Sequence, residues 1–522
     1  MTRACPNQGV AQAILVGKGD LASRMLPTMA SAPDKTHYDL CVIGAGPAGF
    51  AAAMRAHDLG KRVLLVEKGK LGGAGLHAGA LSSKTMWHLS NDYALACRKD
   101  RGFSAENVTV SYASVMEQVH TAVSERRDIL TRQLHALCEP NGKGGEVDLA
   151  KGTAKFVTPH AIEVVDQAGT ARRFEADFFL VATGSSPRVP AGIEVDGHRI
   201  VTSDQIEDFS DFPKSMVVVG AGVVGCEYAA VFGNFGHTKI NIIDRQPRIL
   251  PFEDEDVAEV VARSFGKIGI RIHKESSLVS LRAVGDHVEY VIADPAGAQE
   301  TLKVERALIS VGRAPNTGSL GLEAIGVKLT KGGGIDVEGT QSTTVPHVYA
   351  AGDTTMDVAL VNVAELEGRH AAERMFGQNP RPIRYEALSA IYFLKPEVAA
   401  VGLNETQAKQ RKIPYRVGVL HNRLISRNIA MRSTEGFIKL LCSPDDPQRV
   451  LGLRVVGPHA SSTIQGIAFL IDKDGTVDDI DHCVHPHPAI TEGVQECARL
   501  LLGRSMHKLD VFGADFLRCD EG

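Results

Sequence analysis

The sequence has no closely spaced cysteine pair, no basic tract and no apolar run long enough to cross a membrane. Its nine cysteines (Cys5, Cys41, Cys97, Cys138, Cys226, Cys442, Cys483, Cys497 and Cys519) include no Cys-x-x-Cys unit. An odd count without close pairs argues against a secreted disulfide framework and against a zinc ribbon. Reduced, mostly buried thiols in an intracellular protein are the expectation. No apolar run reaches the ~18 residues that span a bilayer. The nearest, "SMVVVGAGVVGCEYAAVFGNFG", is Gly-rich and broken by Glu227. With 57 basic residues against 62 acidic and a formal net charge of −5, nothing points to a nucleic-acid partner or a charged disordered tail.

What remains is ordinary globular composition, 44% hydrophobic and 23% charged, over 522 residues. At roughly 150 residues per domain, that length predicts about three domains. Residues 1–36 read as an extension before a fold that starts near Tyr38. Arg3, Lys18, Arg24 and Lys35 stand against Asp20 and Asp34, and small and hydroxyl residues are common. The continuous apolar segment of a secretory signal is missing. A mitochondrial matrix-targeting segment and a plain cytosolic tail fit that pattern alike. The expected compartment is therefore the matrix or the cytoplasm.

Two stretches carry a nucleotide-binding pattern. "YDLCVIGAGPAGFAAAMRAHDLGKRVLLVEKG" reads as strand, glycine turn, helix and second strand. Gly44 permits the turn, Gly46 lets a pyrophosphate approach the backbone, and Gly49 lets helix and strand pack closely. The helix N-terminus offers free N–H groups to phosphate. Glu67 closes the second strand, 18 residues after Gly49, where a carboxylate accepts from ribose hydroxyls. "SMVVVGAGVVGCEYAAVFGNFGHTKINIIDRQ" repeats the pattern with Gly220, Gly222, Gly225 and Asp244. Two fingerprints imply two nucleotide cofactors, or one cofactor and a nucleotide substrate. Asp244 repels the 2′-phosphate of NADP and accepts from the free hydroxyl of NAD, although the adjacent Arg245 can soften that preference.

Three further segments, "LVATGSSPRVP" (180–190), "ISVGRAPNT" (309–317) and "VYAAGDTT" (348–355), are short apolar strands running into Gly. Such positions suit close backbone approach to a ligand, and equally a simple strand-end turn.

In this order, from about Tyr38 to Lys508, these segments resemble the FAD-dependent pyridine nucleotide–disulfide oxidoreductase family, in a dihydrolipoamide dehydrogenase-like form. The resemblance implies an α/β chain with two Rossmann-like domains, for FAD and NAD, and a C-terminal α+β dimerisation domain. The FAD domain would occupy 37–187 and 313–384, the NAD(P) domain 188–312, and the dimerisation domain 385–510, with a tail at 511–522. It assigns Gly44, Gly46, Gly49, Glu67, Lys84, Thr183, Gly184, Gly352 and Asp353 to FAD, with Asp353 holding the ribityl chain. It assigns Gly220, Gly222, Gly225, Glu227, Asp244, Gly312 and Arg313 to NAD. "DDIDHCVHPHPAITEGVQECARLLL" resembles the family's catalytic signature, which makes His487 a base reaching the partner subunit's flavin and Glu492 the carboxylate that orients it. An imidazole suits proton transfer near neutral pH. A homodimer, with NADH and a small electron acceptor as its partners, follows from the same resemblance.

One stretch departs from the family. In "GKLGGAGLHAGALSSKTMWHLS" (69–90) the loop-and-helix frame is kept, but the two redox cysteine positions fall on Gly75 and Ala80, and the usual Pro is Ser82. Only a thiolate can attack or stack on the flavin as the family's disulfide chemistry requires. Cys97 lies 17 residues beyond Ala80, roughly 25 Å along a helix. Cys41 belongs to a buried strand, Cys483 lacks a partner, and Cys519 is a single thiol in the tail. His77, Trp87 and His88 either line a different acceptor site or pack one helix on the core. The reading is an NAD(P)H oxidoreductase that passes electrons to a quinone, a second nicotinamide or oxygen. Its alternatives are a dithiol oxidase of dihydrolipoyl dehydrogenase type and a flavin-bearing scaffold subunit. The "GAGVVGCEYAAVF" segment, similar to that of the soluble transhydrogenase, keeps hydride exchange between nicotinamides open.

Overall fold

The computed structural model describes residues 36–77, 79–138, 145–339, 341–514 and 516–521. The extension at 1–36, apart from Thr36, lies outside the described residues, and so does Cys5.

The chain begins with β1 (His37–Ile43), α1 (Pro47–Asp58) and β2 (Arg62–Glu67). Leu40, Cys41 and Val42 are sealed on both faces of the sheet, as suits a central parallel strand. Pro47 opens α1 at the position where a missing N–H costs nothing. A single helical turn, α2 (Gly73–Leu76), leads into the long helices α3 (Ala80–Ala96) and α4 (Tyr112–Cys138). Then come β3 (Glu146–Lys151), β4 (Thr153–Thr158), β5 (Ala161–Val165) and β6 (Ala171–Val181). The first sheet has the order β3-β2-β1-β6-β5-β4, with β1 parallel to β2 and β6.

Short strand β7 (Ser185–Pro187) carries the chain into the second nucleotide domain. This comprises β8 (Ile200–Thr202), β9 (Ser215–Val219), α5 (Val223–Phe235), β10 (Lys239–Ile243), α6 (Glu255–Lys267) and β11 (Arg271–His273). An antiparallel ribbon follows, β12 (Ser277–Val284), β13 (His287–Ala293) and β14 (Gln299–Val304), and then β15 (Arg306–Ile309). The second sheet is all parallel, in the order β11-β10-β9-β15-β8. Strand β16 (Arg313–Pro315) pairs antiparallel with β7, so the outgoing and returning crossings are stitched together. The chain then returns to the first sheet as β17 (Val348–Ala350), beside β6, and runs into α7 (Val361–Met375).

The C-terminal part is a six-stranded sheet of β18 (Ser389–Tyr392), β19 (Val398–Gly402), β20 (Arg416–His421), β21 (Phe437–Cys442), β22 (Val450–Val456) and β23 (Leu517–Glu521), in the order β18-β19-β22-β21-β20-β23. The expected tail at 511–522 therefore needs correction. Leu517 is buried and pairs with Leu420, and Cys519 pairs with Gly418, so the apolar alternation of "FLRC" finds a sheet edge rather than solvent. The α/β architecture with two Rossmann-type domains and a C-terminal dimerisation domain is as the resemblance implies.

One apolar core spans α3, α4, the second nucleotide domain and the C-terminal sheet. Helix α5 is buried from Gly225 through Phe235, and Asn234 Nδ2 donates to Ser90 Oγ of α3 at 3.2 Å. Charge locks the same junction. Fully buried Lys439 lies 2.7 Å from Asp254, 2.7 Å from Asp256 and 3.0 Å from Glu405, while Arg454 meets Glu253 at 2.9 Å. Removing one member of such a group strands an uncompensated charge.

Candidate functional site

The two glycine turns have the same geometry. Gly44 and Gly220 sit at φ +106° and +102°, and a Cβ on either would lie 2.3 or 2.5 Å from the carbonyl of Ala182 or Ser310. A Cβ on Gly49 would meet Gly44 O at 1.9 Å, and one on Gly225 would meet Gly220 O at 2.2 Å. A Cβ on Gly46 or Gly222 would meet nothing within 4 Å. Each of those middle glycines precedes a helix whose N-terminus has no side-chain cap, which leaves donors free in open space. The fit to a pyrophosphate is therefore physical as well as sequential.

The acids repeat too. Glu67 accepts from the N–H groups of Ala45 (2.8 Å) and Gly69 (2.6 Å). Asp244 accepts from those of Ala221 (2.6 Å) and Gln246 (2.8 Å). Each carboxylate is pinned beside its turn with lone pairs left for a ribose hydroxyl. Arg245, beside Asp244, is exposed.

Where the sheets meet, Thr183 Oγ1 donates to Asn316 O at 2.8 Å and Gly184 adopts φ +67°. Ser185 Oγ donates to Asp353 Oδ2 at 2.7 Å. Arg313, assigned to the second nucleotide, directs its guanidinium to Ser185 Oγ (2.6 Å) and Ser185 O (2.7 Å), 3.7 Å from Asp353. Gly312, one residue before it, adopts φ +106° at the end of this crossing. The structure thus brings Arg313 to the acid assigned to FAD, because the β7–β16 pairing sets Arg313 opposite Pro187.

Lys84 and Glu227 come together across the domain junction, Nζ to Oε2 at 2.8 Å, with Glu227 Oε1 accepting from Phe393 N at 3.0 Å. The Lys84 ammonium also lies over the Phe393 ring, 5.0 Å from its centre. Gly75 lies in α2 and Ala80 opens α3. A Cβ on Gly75 would stand 2.6 Å from Pro47 Cγ. Ser82, where the family has Pro, is buried with a hydroxyl that has no protein partner. That orphaned hydroxyl suits a polar partner supplied by a bound cofactor.

His77 Nε2 lies 3.1 Å from Leu71 O, and burial holds its pKa below the usual imidazole value despite that carbonyl. Trp87 packs edge-on against Phe393 and donates to Leu394 O at 3.1 Å, so it belongs to the core, while His88 is exposed. No described cysteine lies within the 72–84 frame. Cys41 is buried in β1, where desolvation pushes its pKa far up. Cys97 and Cys483 are exposed free thiols, and Cys519 rests 3.6 Å from Leu500 O.

His487 Nδ1 lies 2.6 Å from Glu492 Oε1, and Glu492 Oε2 accepts from Ala489 N at 2.8 Å. Glu492 stands at the start of the helix Thr491–Leu501. Burial works to raise its pKa, but the Ala489 N–H and His487 outweigh it, and the carboxyl sits below its usual range. His487 is largely exposed on the single chain, 69% by side chain, and its Nε2 has no partner among the described residues. Sequence reasoning missed Ser185 and Asn316. Ser185 lay inside a quoted segment, but its link to Asp353 spans 168 residues and leaves no local signal.

The pyridine nucleotide-disulphide oxidoreductase model matches residues 38–368, and the dimerisation domain of that family matches residues 388–498. The chain belongs to the pyridine nucleotide–disulfide oxidoreductase family, whose members are FAD-dependent and use NAD(H). It is 34% identical to dihydrolipoyl dehydrogenase of Geobacillus stearothermophilus over 89% of this chain and 96% of that protein. It is 32% identical to the mitochondrial dihydrolipoyl dehydrogenase of Pisum sativum, over 92% and 95%. LpdA from Mycobacterium tuberculosis superposes with a TM-score of 0.81 at 30% identity, covering 90% of this chain and all of that one. No helix among the described residues is long and apolar enough to cross a membrane.

Proposed function

We propose that this protein is an FAD-dependent oxidoreductase that takes electrons from NADH and delivers them to a small acceptor other than a protein disulfide. The observation that carries this reading is the frame at 72–84, which keeps its glycines, Ser83 and Lys84 but has Gly75 and Ala80 at the positions where the family resemblance puts sulfur. The close approach of Pro47 to Gly75 supports it, because the space a side chain would need there is taken.

Gly44, Gly46, Gly49 and Glu67 would hold the adenylate half of FAD, with Asp353, Ser185 and Thr183 nearer the flavin. Bound there, FAD supplies a two-electron relay between nicotinamide and acceptor. Gly220, Gly222, Gly225 and Asp244 would seat NADH, and Asp244 disfavours the 2′-phosphate of NADP. Lys84, fixed by Glu227, places a cation at the junction of the two nucleotide domains. His487, its tautomer fixed by Glu492 on Nδ1, keeps Nε2 available to move a proton to or from the acceptor across a homodimer interface.

The relatives named dihydrolipoyl dehydrogenase, together with the paired His487 and Glu492, favour a second reading in which a free dithiol is still oxidised. An anaerobic NADH titration followed by lipoamide, glutathione disulfide, quinone, thio-NADP and oxygen separates the two. The first reading expects bleaching by NADH and recovery of colour with a quinone, nicotinamide analogue or oxygen. Recovery with lipoamide alone would establish the second, and no bleaching at all would leave a scaffold.

A further inference from the structure

Behind the turn that presents Asp353 lies a buried polar chain with no part in the chemistry so far described. His370 Nδ1 is 2.8 Å from Gln341 Oε1, Gln341 Nε2 donates to Tyr385 OH at 3.0 Å, and Tyr385 OH donates to Glu367 Oε1 at 2.8 Å. The other oxygen, Glu367 Oε2, accepts from Gly352 N at 2.7 Å. Glu367, His370 and Gln341 are 3%, 5% and 2% exposed.

The direction of the chain is fixed by its ends. Gln341 offers its oxygen to His370 and its N–H to Tyr385, so the tyrosine hydroxyl is left to donate to the carboxylate. Every donor points toward Glu367, and hydrogen bonds so aligned strengthen one another. Burial raises the Glu367 pKa, with Asp357 and Asp353 adding to it, while the Gly352 N–H and Tyr385 oppose it.

We propose that Glu367 is a positioning residue for FAD, which sets the Gly352–Asp353 turn through the Gly352 N–H and is itself held by Tyr385 and Gln341. Gly352 has φ +74°, so the turn relies on a glycine, and its one amide is committed to Glu367. The next residue is the acid that Ser185 and Arg313 hold from the opposite side. A cavity of about 260 Å³, lined in part by Gln341, Thr355, Asp357, Glu367 and Tyr385, lies beside the relay. Without the carboxylate, the turn has room to relax into that space. Tyr385 begins the segment leading into the C-terminal sheet, so the relay also ties the flavin turn to the dimerisation domain.

This inference rests on the reading that Asp353 serves a bound FAD, and the experiment separates the two. The FAD dissociation constant and flavin midpoint potential are measured on unsubstituted holoenzyme and on Glu367→Gln, Glu367→Ala and Tyr385→Phe. Failure of the unsubstituted chain to bind FAD would remove the underlying reading. With FAD bound, Glu367→Ala is expected to weaken it at least tenfold and shift the potential. Glu367→Gln, which still offers an oxygen to the Gly352 N–H, is expected to stay within threefold. An unchanged dissociation constant and potential in Glu367→Ala, whatever its melting temperature, would overturn the proposal. Should Glu367→Ala give no folded protein, Tyr385→Phe decides: about threefold weaker FAD supports the assignment, and unchanged affinity and potential refute it.

Discussion

The glycine turn at 44–49 and the loop-and-helix frame at 72–84 are both family patterns, yet they have fared differently. In the turn, the first and last glycines have a steric reason, because a Cβ on Gly44 would stand 2.3 Å from one carbonyl and a Cβ on Gly49 1.9 Å from another. In the frame, the loop and helix are formed while Gly75 and Ala80 stand where the family resemblance puts its sulfurs. The difference teaches that a backbone constraint and a chemical group at the same site are separable. The first is enforced by folding, and the second only by the reaction.

The sharpest way to break that comparison is Gly49→Ala. Its methyl would overlap the Gly44 carbonyl, and we expect a loss of about 3 kcal/mol in stability, read from urea melts, together with loss of flavin from purified protein. Gly46→Ala, whose Cβ meets nothing, is expected to weaken FAD while moving stability by only about 0.5 kcal/mol. Equal effects at the two positions would show that the turn is not set by these contacts.

Next in size is the junction pair. Lys84→Met leaves Glu227, 8% exposed by side chain, with only the Phe393 N–H as partner. Lys84 is partly exposed, so the loss is expected below that of a sealed pair, about 2 kcal/mol, and flavin reduction by NADH is expected to slow. A melt unchanged by Lys84→Met would mean that the ion pair is incidental.

Much of the architecture was readable in advance because the signals are local. A strand, three glycines, a helix and an acid fall within about thirty residues, and the first and third glycines answer to nearby backbone carbonyls. The Lys84–Glu227 pair was readable only as two separate family positions, since nothing in the sequence brings residues 143 apart into contact. The approach of Arg313 to Ser185 and Asp353 was hidden for the same reason, since it depends on the β7 and β16 pairing. Cys519 was placed in a tail because a single edge strand of five residues carries too weak a periodicity to announce itself.

The frame itself offers a smaller test. Gly75→Ala pushes a methyl to 2.6 Å from Pro47 Cγ, and a cost of about 1.5 kcal/mol is expected. Ala80→Ser, which adds to an existing Cβ, should stay within about 0.5 kcal/mol. Equal tolerance at both sites would show that Pro47 yields readily and that the space at Gly75 is not closed.

Glu492→Gln comes next, with about 1 kcal/mol lost at neutral pH. The sign of its pH dependence follows from the lowered carboxyl. The folded pKa is below the unfolded one, so the contribution is complete above the ordinary carboxylate range of about 4.3 and is lost as pH falls through the folded value. The difference between Glu492→Gln and the unsubstituted protein should therefore shrink on acidification, in melts taken from pH 7 down to pH 3.

The smallest expected effect bears hardest on function. Cys97→Ser and Cys483→Ser remove the two thiols that are exposed among the described residues, and Cys519→Ser removes one that touches Leu500 O. None lies in the 72–84 frame, and each substitution should change stability by less than about 0.5 kcal/mol. If electrons leave without a protein thiolate, NADH-dependent turnover with the best acceptor should be the same in all three variants and in the triple variant. A thiol that carried electrons would behave otherwise, because serine supplies no thiolate at neutral pH and turnover would collapse with that one substitution. Collapse in a single variant with an unchanged melt would identify the sulfur that substitutes for the pair at 75 and 80, and would return this chain to the disulfide chemistry of its relatives.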